Sequence, residues 1–348
     1  MADSQAPESS SFVKASYWYH GDDRTPHPQF PPTDIESSLF THLFCAFADV
    51  DPNTHKVVVP ESHEQEFSNF TEDVQKKNSD VQTLLSIGGK DANKLAFVSM
   101  HDLAWEYPSN FLEMMNFGKL LEEWRLAVEV ESRITGEPTL LLTAAVYYCP
   151  VYTSGSYPVH VDGHYPVYLI KDNLDWVNII AFDFFGSSTT IGPPAGLYNT
   201  SKPEGPCGDS GLKQWIKAGL PEQKAVFGFP YFGWAWTLSN DKDHGADVAA
   251  TTGVAVSADG STNYNQIVNF IKYHKAEPVH DQTVVGDYCF DGTTLIMYDD
   301  IESVVTKVRY TKKKGLLGYF AWNVAADDDS YLSRAASHTW GSDALTET

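Results

Sequence analysis

Three alternate residues, Asp102, Ala104 and Glu106 within HDLAWEYP at 101–108, form the pattern in this chain best suited to do chemistry. Side chains at positions i, i+2 and i+4 of a β-strand point to one face. This stretch would therefore line one side of a site with a carboxylate, a methyl group and a second carboxylate. It has the form of a catalytic strand end with one acid missing. The competing possibility is an ordinary core strand.

Short β-rich apolar runs alternate along the chain with longer amphipathic or irregular segments, the pattern of parallel strands joined by crossovers. Strands are expected at Val13–Tyr19, His42–Asp49, Val81–Ile87, Asp102–Tyr107, Leu140–Tyr148, Trp176–Phe184, Ala225–Pro230 and Leu316–Trp322. Eight such strands predict an α/β fold, a (β/α)8 TIM barrel. A helix is expected over Asn110–Thr135, with Leu112, Met115, Leu120, Trp124 and Val128 packing on the barrel. Between Trp236 and Tyr298 the alternation breaks, and a structureless loop of that length is not expected in a compact domain. From Gly89 to Asp102 only twelve residues intervene, whereas a full strand–helix–strand unit takes about 30. The third crossover is thus expected to be shortened, with a locally weakened barrel wall.

These segments resemble the family 18 glycoside hydrolases, in particular plant class V chitinases and chitinase-related lectins, over nearly the whole chain. The family's strand signature reads D-x-D-x-E followed by Tyr-Pro, and here Ala104 stands at the middle Asp. The resemblance implies that Glu106 is the general acid and that the substrate's own acetamido oxygen attacks the anomeric carbon. It also implies that the missing middle Asp would have held the acetamido group and coupled to the neighbouring Glu. Asp102 completes the catalytic set on that strand. At the sixth strand the family has Met-Ala-Tyr-Asp-Phe-Tyr-Gly where this chain has Ile180-Ala181-Phe182-Asp183-Phe184-Phe185-Gly186. Asp183 is kept as the acetamido-binding carboxylate. Phe182 lacks a hydroxyl that steadies the intermediate, a loss worth about 100- to 1000-fold in turnover, and Phe185 lacks another. Tyr17, Tyr107, Phe185 and Trp322 are the implied sugar-binding residues, with Trp322 as the floor. Trp234 and Trp236 fit a structural or a sugar-contacting role equally. The segment 237–298 resembles the family's α+β insertion domain after strand seven, leaving 12–236 and 299–341 as barrel and 1–11 as a polar N-terminal segment.

Composition bounds the function. The 348 residues include 9 Trp, 18 Tyr and 19 Phe, an aromatic load suited to stacking on the apolar faces of sugar rings. A formal net charge of −22 argues against nucleic acid or an anionic membrane as partner. No apolar run is long enough to span a bilayer. The polar N-terminus lacks the features of a secretory signal, so a secreted or vacuolar location is expected only for a processed form, and a cytoplasmic one otherwise. The four cysteines show no CxxC spacing, and neither metal nor other cofactor is expected. Asp327, Asp328 and Asp329 are expected to form a solvated loop. The expected function is that of a chitinase-like protein that binds chitin oligosaccharides or other N-acetylglucosamine-containing glycans, with hydrolysis lost or strongly impaired. The alternatives are an active endo-chitinase and a non-binding storage or inhibitor protein.

Overall fold

The computed structural model describes residues 12–21, 30–51, 53, 54, 56–89, 102–104, 107–154, 161–186, 191–200, 205–239 and 251–342. Eight parallel strands run β1 (Val13–Tyr19), β2 (His42–Val50), β3 (Gln82–Gly88), β4 (Asp102–Ala104), β5 (Thr143–Tyr147), β6 (Trp176–Ile180), β7 (Ala225–Pro230) and β8 (Gly318–Trp322). Each pairs with its successor, and β8 pairs with β1 to close the barrel. The helices are α1 (Glu64–Gln75), α2 (Phe111–Thr135), α3 (Val167–Asn173), α4 (Gly208–Lys217), α5 (Tyr264–His274), α6 (Ile301–Lys313) and α7 (Tyr331–Gly341).

Strand periodicity sorts the side chains into two layers. Val13, Ala15, Tyr17, Phe44, Ala46, Leu84, Trp176, Val226 and Phe320 fill the barrel interior. Alternate strand residues such as Leu103, Ala144, Val177, Ile179, Phe227 and Ala321 join the helices in the larger core. The fourth strand is the shortest of the eight, pairing Ser86–Gly88 with Asp102–Ala104 and then meeting Thr143 and Ala144. The wall therefore closes over three residues. Residues 90–101, where the shortened crossover is expected, lie outside the described residues.

The expected helix over 110–135 forms as α2. Asn110 caps it, its side chain accepting from the Glu113 backbone N–H at 3.0 Å, while Glu113 Oε2 accepts from the Ser109 N–H at 2.7 Å. Gly136 ends it in the left-handed conformation, φ 78°, where glycine carries no Cβ penalty. The expected packing stripe is corrected at two places. Leu112 and Met115 are 62% and 52% exposed. The inward face is instead Met114, Phe117, Leu121, Trp124 and Val128, whose alternating steps of three and four residues keep one side of a helix. Leu112 and Met115 fall on the other side.

A second, six-stranded sheet follows β7, built from Phe232–Leu238, Thr251–Val254, Ser261–Asn263, Val279–Asp281, Gly286–Asp291 and Thr294–Tyr298, with α5 beside it. It begins at Phe232, inside the segment assigned to the barrel from sequence, because Trp234 and Trp236 pair with Met297 and Leu295.

Asp327 overturns its assignment to a solvated loop. It is only 8% exposed. Its carboxylate accepts from the backbone N–H groups of Asp328, Leu332 and Ser333 and from the Ser333 hydroxyl, at 2.8–3.1 Å. The N-terminus of α7 supplies three of these four donors, and its backbone N–H groups at Leu332 and Ser333 would otherwise lack partners. Burial pushes the Asp327 carboxyl above its usual range. Replacing Asp327 with Ala is expected to lower stability by about 2 kcal/mol through the lost cap and the unpaired buried N–H groups. Asp327→Asn, whose amide oxygen still accepts, should lose less; thermal unfolding of the two variants checks the order.

Candidate functional site

The C-terminal ends of the strands meet at one mouth, where loops carry the chemistry of such barrels. At the end of β8, Trp322 stacks on Phe47 with ring centroids 5.5 Å apart and planes at 18°. Tyr17 and Tyr19 lie 5.3 and 5.8 Å from it. Tyr17, expected to touch the sugar, is 1% exposed, and its hydroxyl accepts from Asn178 Nδ2 at 2.8 Å. The structure places it beneath Trp322 as support. Phe47 and Tyr19 were not singled out from sequence, although each is an aromatic at or near the C-terminal end of a strand, which is the available signal.

A second aromatic group sits across the mouth. Tyr107 lies 5.2 Å from both Tyr147 and Tyr152, and Tyr147 is 4.7 Å from Tyr148. Tyr152 belongs to a hairpin of Val151–Ser154 with Val161–His164, inserted between β5 and α3. Burial raises the Tyr147 hydroxyl to about 12 and Tyr148 further. Both stay neutral at physiological pH, able to donate hydrogen bonds but not to act as bases.

Between these groups lies the end of β4. Ala104 is 1% exposed. Its carbonyl accepts from the Gly89 N–H at 2.8 Å, and it passes so close to Gly88 that a Cβ there would meet the Ala104 oxygen at 2.5 Å. Gly88, with φ 122°, is the residue type that this approach requires. Leu103 packs outward with the helices, so Ala104, one residue on, turns to the interior. Asp102 is placed by its backbone, paired with Ser86 and Thr143. Glu106 lies outside the described residues.

The sixth strand ends four residues before its expected limit, at Ile180. Phe182 packs inward with the barrel cluster, 8% exposed and edge-on to Phe232 at 6.0 Å. Asp183 adopts φ 60°, a left-handed conformation incompatible with a strand that Asp tolerates better than most residues. That turn exposes its side chain, and its Oδ1 accepts from the Trp234 indole N–H at 2.9 Å. Phe185, expected to bind sugar, packs over Gly192 and joins the insertion-sheet cluster of Ile191, Trp236 and Leu295. Trp236 is fully buried, a structural residue. The mouth thus brings together Trp322, Tyr107, Phe182, Asp183 and Ala104. All four cysteines are buried and free. Among the described residues no group of three or more His, Cys, Asp and Glu could hold a metal ion, and no helix is long and apolar enough to cross a membrane.

Comparison with known proteins agrees with this fold. The model for glycosyl hydrolases family 18 matches residues 14–102 and 101–327. A class V chitinase from Arabidopsis thaliana is 49% identical over 371 residues, covering 99% of this chain and 93% of that protein. That alignment is longer than the chain's 348 residues, so the relative has segments absent here. A mutant of a class V chitinase from Nicotiana tobaccum, solved in complex with NAG4, superposes with a TM-score of 0.85 at 38% identity, covering 95% of this chain and 99% of that one. A chitinase-like agglutinin from Robinia pseudoacacia superposes with a TM-score of 0.81, also at 38% identity, covering 94% and 100%.

Proposed function

The chain belongs to glycosyl hydrolase family 18, and from that premise we propose that it binds chitin oligosaccharides or other N-acetylglucosamine-containing glycans while hydrolysing them weakly or not at all. The observation that carries this reading is the buried, inward-turned methyl of Ala104 at the end of β4. A methyl group can neither hold an acetamido group nor couple electrically to a neighbouring acid. Phe182 adds to the deficit, because its ring faces Phe232 and offers no donor. Stacking needs no proton transfer, and the platform of Trp322 on Phe47 is intact. The complex of the Nicotiana chitinase with NAG4 supports the ligand class, and the agglutinin supports binding on this fold.

Calorimetric titration with chitotetraose tests the proposal. A saturating heat that does not persist is expected. Trp322→Ala should weaken binding by about 30-fold, the loss of a central aromatic anchor, without unfolding the protein; unchanged affinity would exclude Trp322 as the floor. A second reading, a working endo-chitinase, draws on the 49% identity to a class V chitinase and on the exposed Asp183. Sustained heat and release of chitobiose would establish it.

A further inference from the structure

We propose that the outward face of α2 is a self-association surface, on which a second copy of this chain docks its own α2 antiparallel across a two-fold axis. The inference goes beyond the glycan-binding reading and does not depend on it.

Phe111, Leu112, Met115, Leu126, Val130 and Ile134 are each between 41% and 79% exposed. Single exposed apolar residues are ordinary on a protein surface. Six on one helix are not: among the described residues no other helix carries more than one large exposed hydrophobic. Their spacing gathers them on one face. Leu126, Val130 and Ile134 follow one another at steps of four, Phe111 and Met115 do the same, and the chain from Met115 to Leu126 makes about three turns. Val128, on the buried face, stands two residues from both Leu126 and Val130, a rotation of about 200°. The stripe therefore points away from the barrel, on the side where an outer helix ordinarily carries charge. Contiguous apolar surface of this kind marks a site of association.

The occupant that fits this stripe is its own copy. Lys119 stands near the middle, with Glu122 and Glu123 one turn further on, all three exposed. Apolar residues thus lie toward both ends and opposite charges in the centre. Turned antiparallel, with the two-fold axis at the level of Leu121, one helix sets Leu112 against Val130 of the other, Met115 against Leu126, and Lys119 against Glu123. The contact is isologous, so each of these pairs forms twice. A parallel pairing would instead set Lys119 on Lys119 and Glu123 on Glu123, like charges facing. The 25 residues of α2 span about 37 Å, and one helix from each copy makes a small interface by the standard of specific complexes. The net charge of −22 on each copy opposes association, although beyond about 10 Å it is largely screened at physiological salt. A reversible dimer with a Kd of about 10 µM is expected.

Sedimentation velocity of the full chain at physiological salt, over protein concentrations from about 1 to 200 µM that bracket this Kd, is the test. A shift from monomer to dimer with rising concentration is expected. Leu126→Glu should abolish the shift while circular dichroism and thermal unfolding stay as in the wild type. Lys119→Glu and Glu123→Lys each bring like charges into register and should weaken association by about tenfold or more. An equal mixture of those two variants regains both Lys–Glu contacts in the heterodimer, so it should dimerise about as well as the wild type. A wild type that stays monomeric across the range would overturn the proposal. A dimer indifferent to Leu126→Glu would place the interface elsewhere, and a mixture no tighter than its components would refute the antiparallel pairing; either result overturns it as well. Chitotetraose binding is measured separately, so the glycan reading stands or falls independently of the dimer.

Discussion

Replacing Ala104 with Asp is expected to raise the rate of chitobiose release from chitin oligosaccharides by about 100-fold or more, the scale of a positioned acid–base group. The site is prepared for it. The Gly89 N–H holds the backbone of Ala104, Gly88 leaves room for the close approach, and the Ala104 side chain turns to the interior. A carboxylate there would hold the acetamido group beside Asp183 and act on the neighbouring acid on the same strand. Phe182→Tyr in the same protein should add a further gain approaching 100-fold, because it restores a pre-placed donor. Rates are measured on chitotetraose and chitohexaose with binding checked in parallel. A double variant that binds normally and is no faster than the wild type would show that the deficit lies elsewhere, for example in the shortened third crossover. A wild type already as fast as its variants would make this protein the working endo-chitinase.

Lys307→Met is expected to cost about 3–5 kcal/mol, the scale for breaking a buried ion pair by removing one partner. Lys307, on α6, donates to Asp299 Oδ2 and to the Ala195 carbonyl, each at 2.5 Å. Both side chains of the pair are 1% exposed. The contact ties α6 to the end of the insertion sheet and to the loop that begins with Asp183. Burial raises the Asp299 carboxyl to about 6, and Lys307 holds it down. Without the lysine the folded-state pKa rises further above the unfolded value of about 4. The folded variant keeps the Asp299 proton to a higher pH than the wild type does, so its deficit is largest at neutral pH and above and shrinks as pH falls toward about 6, below which both folded proteins hold the proton. Denaturant unfolding at pH 7 and pH 5 measures this. Lys307→Met combined with Asp299→Leu should recover most of the loss, since neither charge is left unpaired. A loss below about 1 kcal/mol for the single variant would place the pair in solvent.

The sequence was informative wherever a signal was local. Strand periodicity and alternation with crossovers marked all eight barrel strands, and the spacing of apolar residues marked the extent of α2. The placement of Ala104, Phe182, Asp183 and Trp322 at or just beyond strand ends was legible as residue identity along the strand pattern. Errors arose where a side chain's environment depends on distant segments. Leu112 and Met115 look inward by spacing alone, but which side of α2 faces the barrel is set by how the helix docks. Asp327 reads as one acid in a polar run, and only the packing of α7 buries it against three donors of that helix.

What the sequence by itself determined is the kind of fold and the residue types, Ala104 and Phe182, carried at and just beyond the ends of its fourth and sixth strands, because both follow from residue type at regular intervals. What only the tertiary structure decided is which aromatics face the cleft. Tyr17 is buried beside Trp322, and Phe185 packs against the insertion-sheet cluster. Trp234, 51 residues from Asp183, comes to hold its carboxylate. No local pattern encodes that contact, because it forms only when the second sheet packs against the end of the barrel and brings two surfaces together at hydrogen-bonding distance.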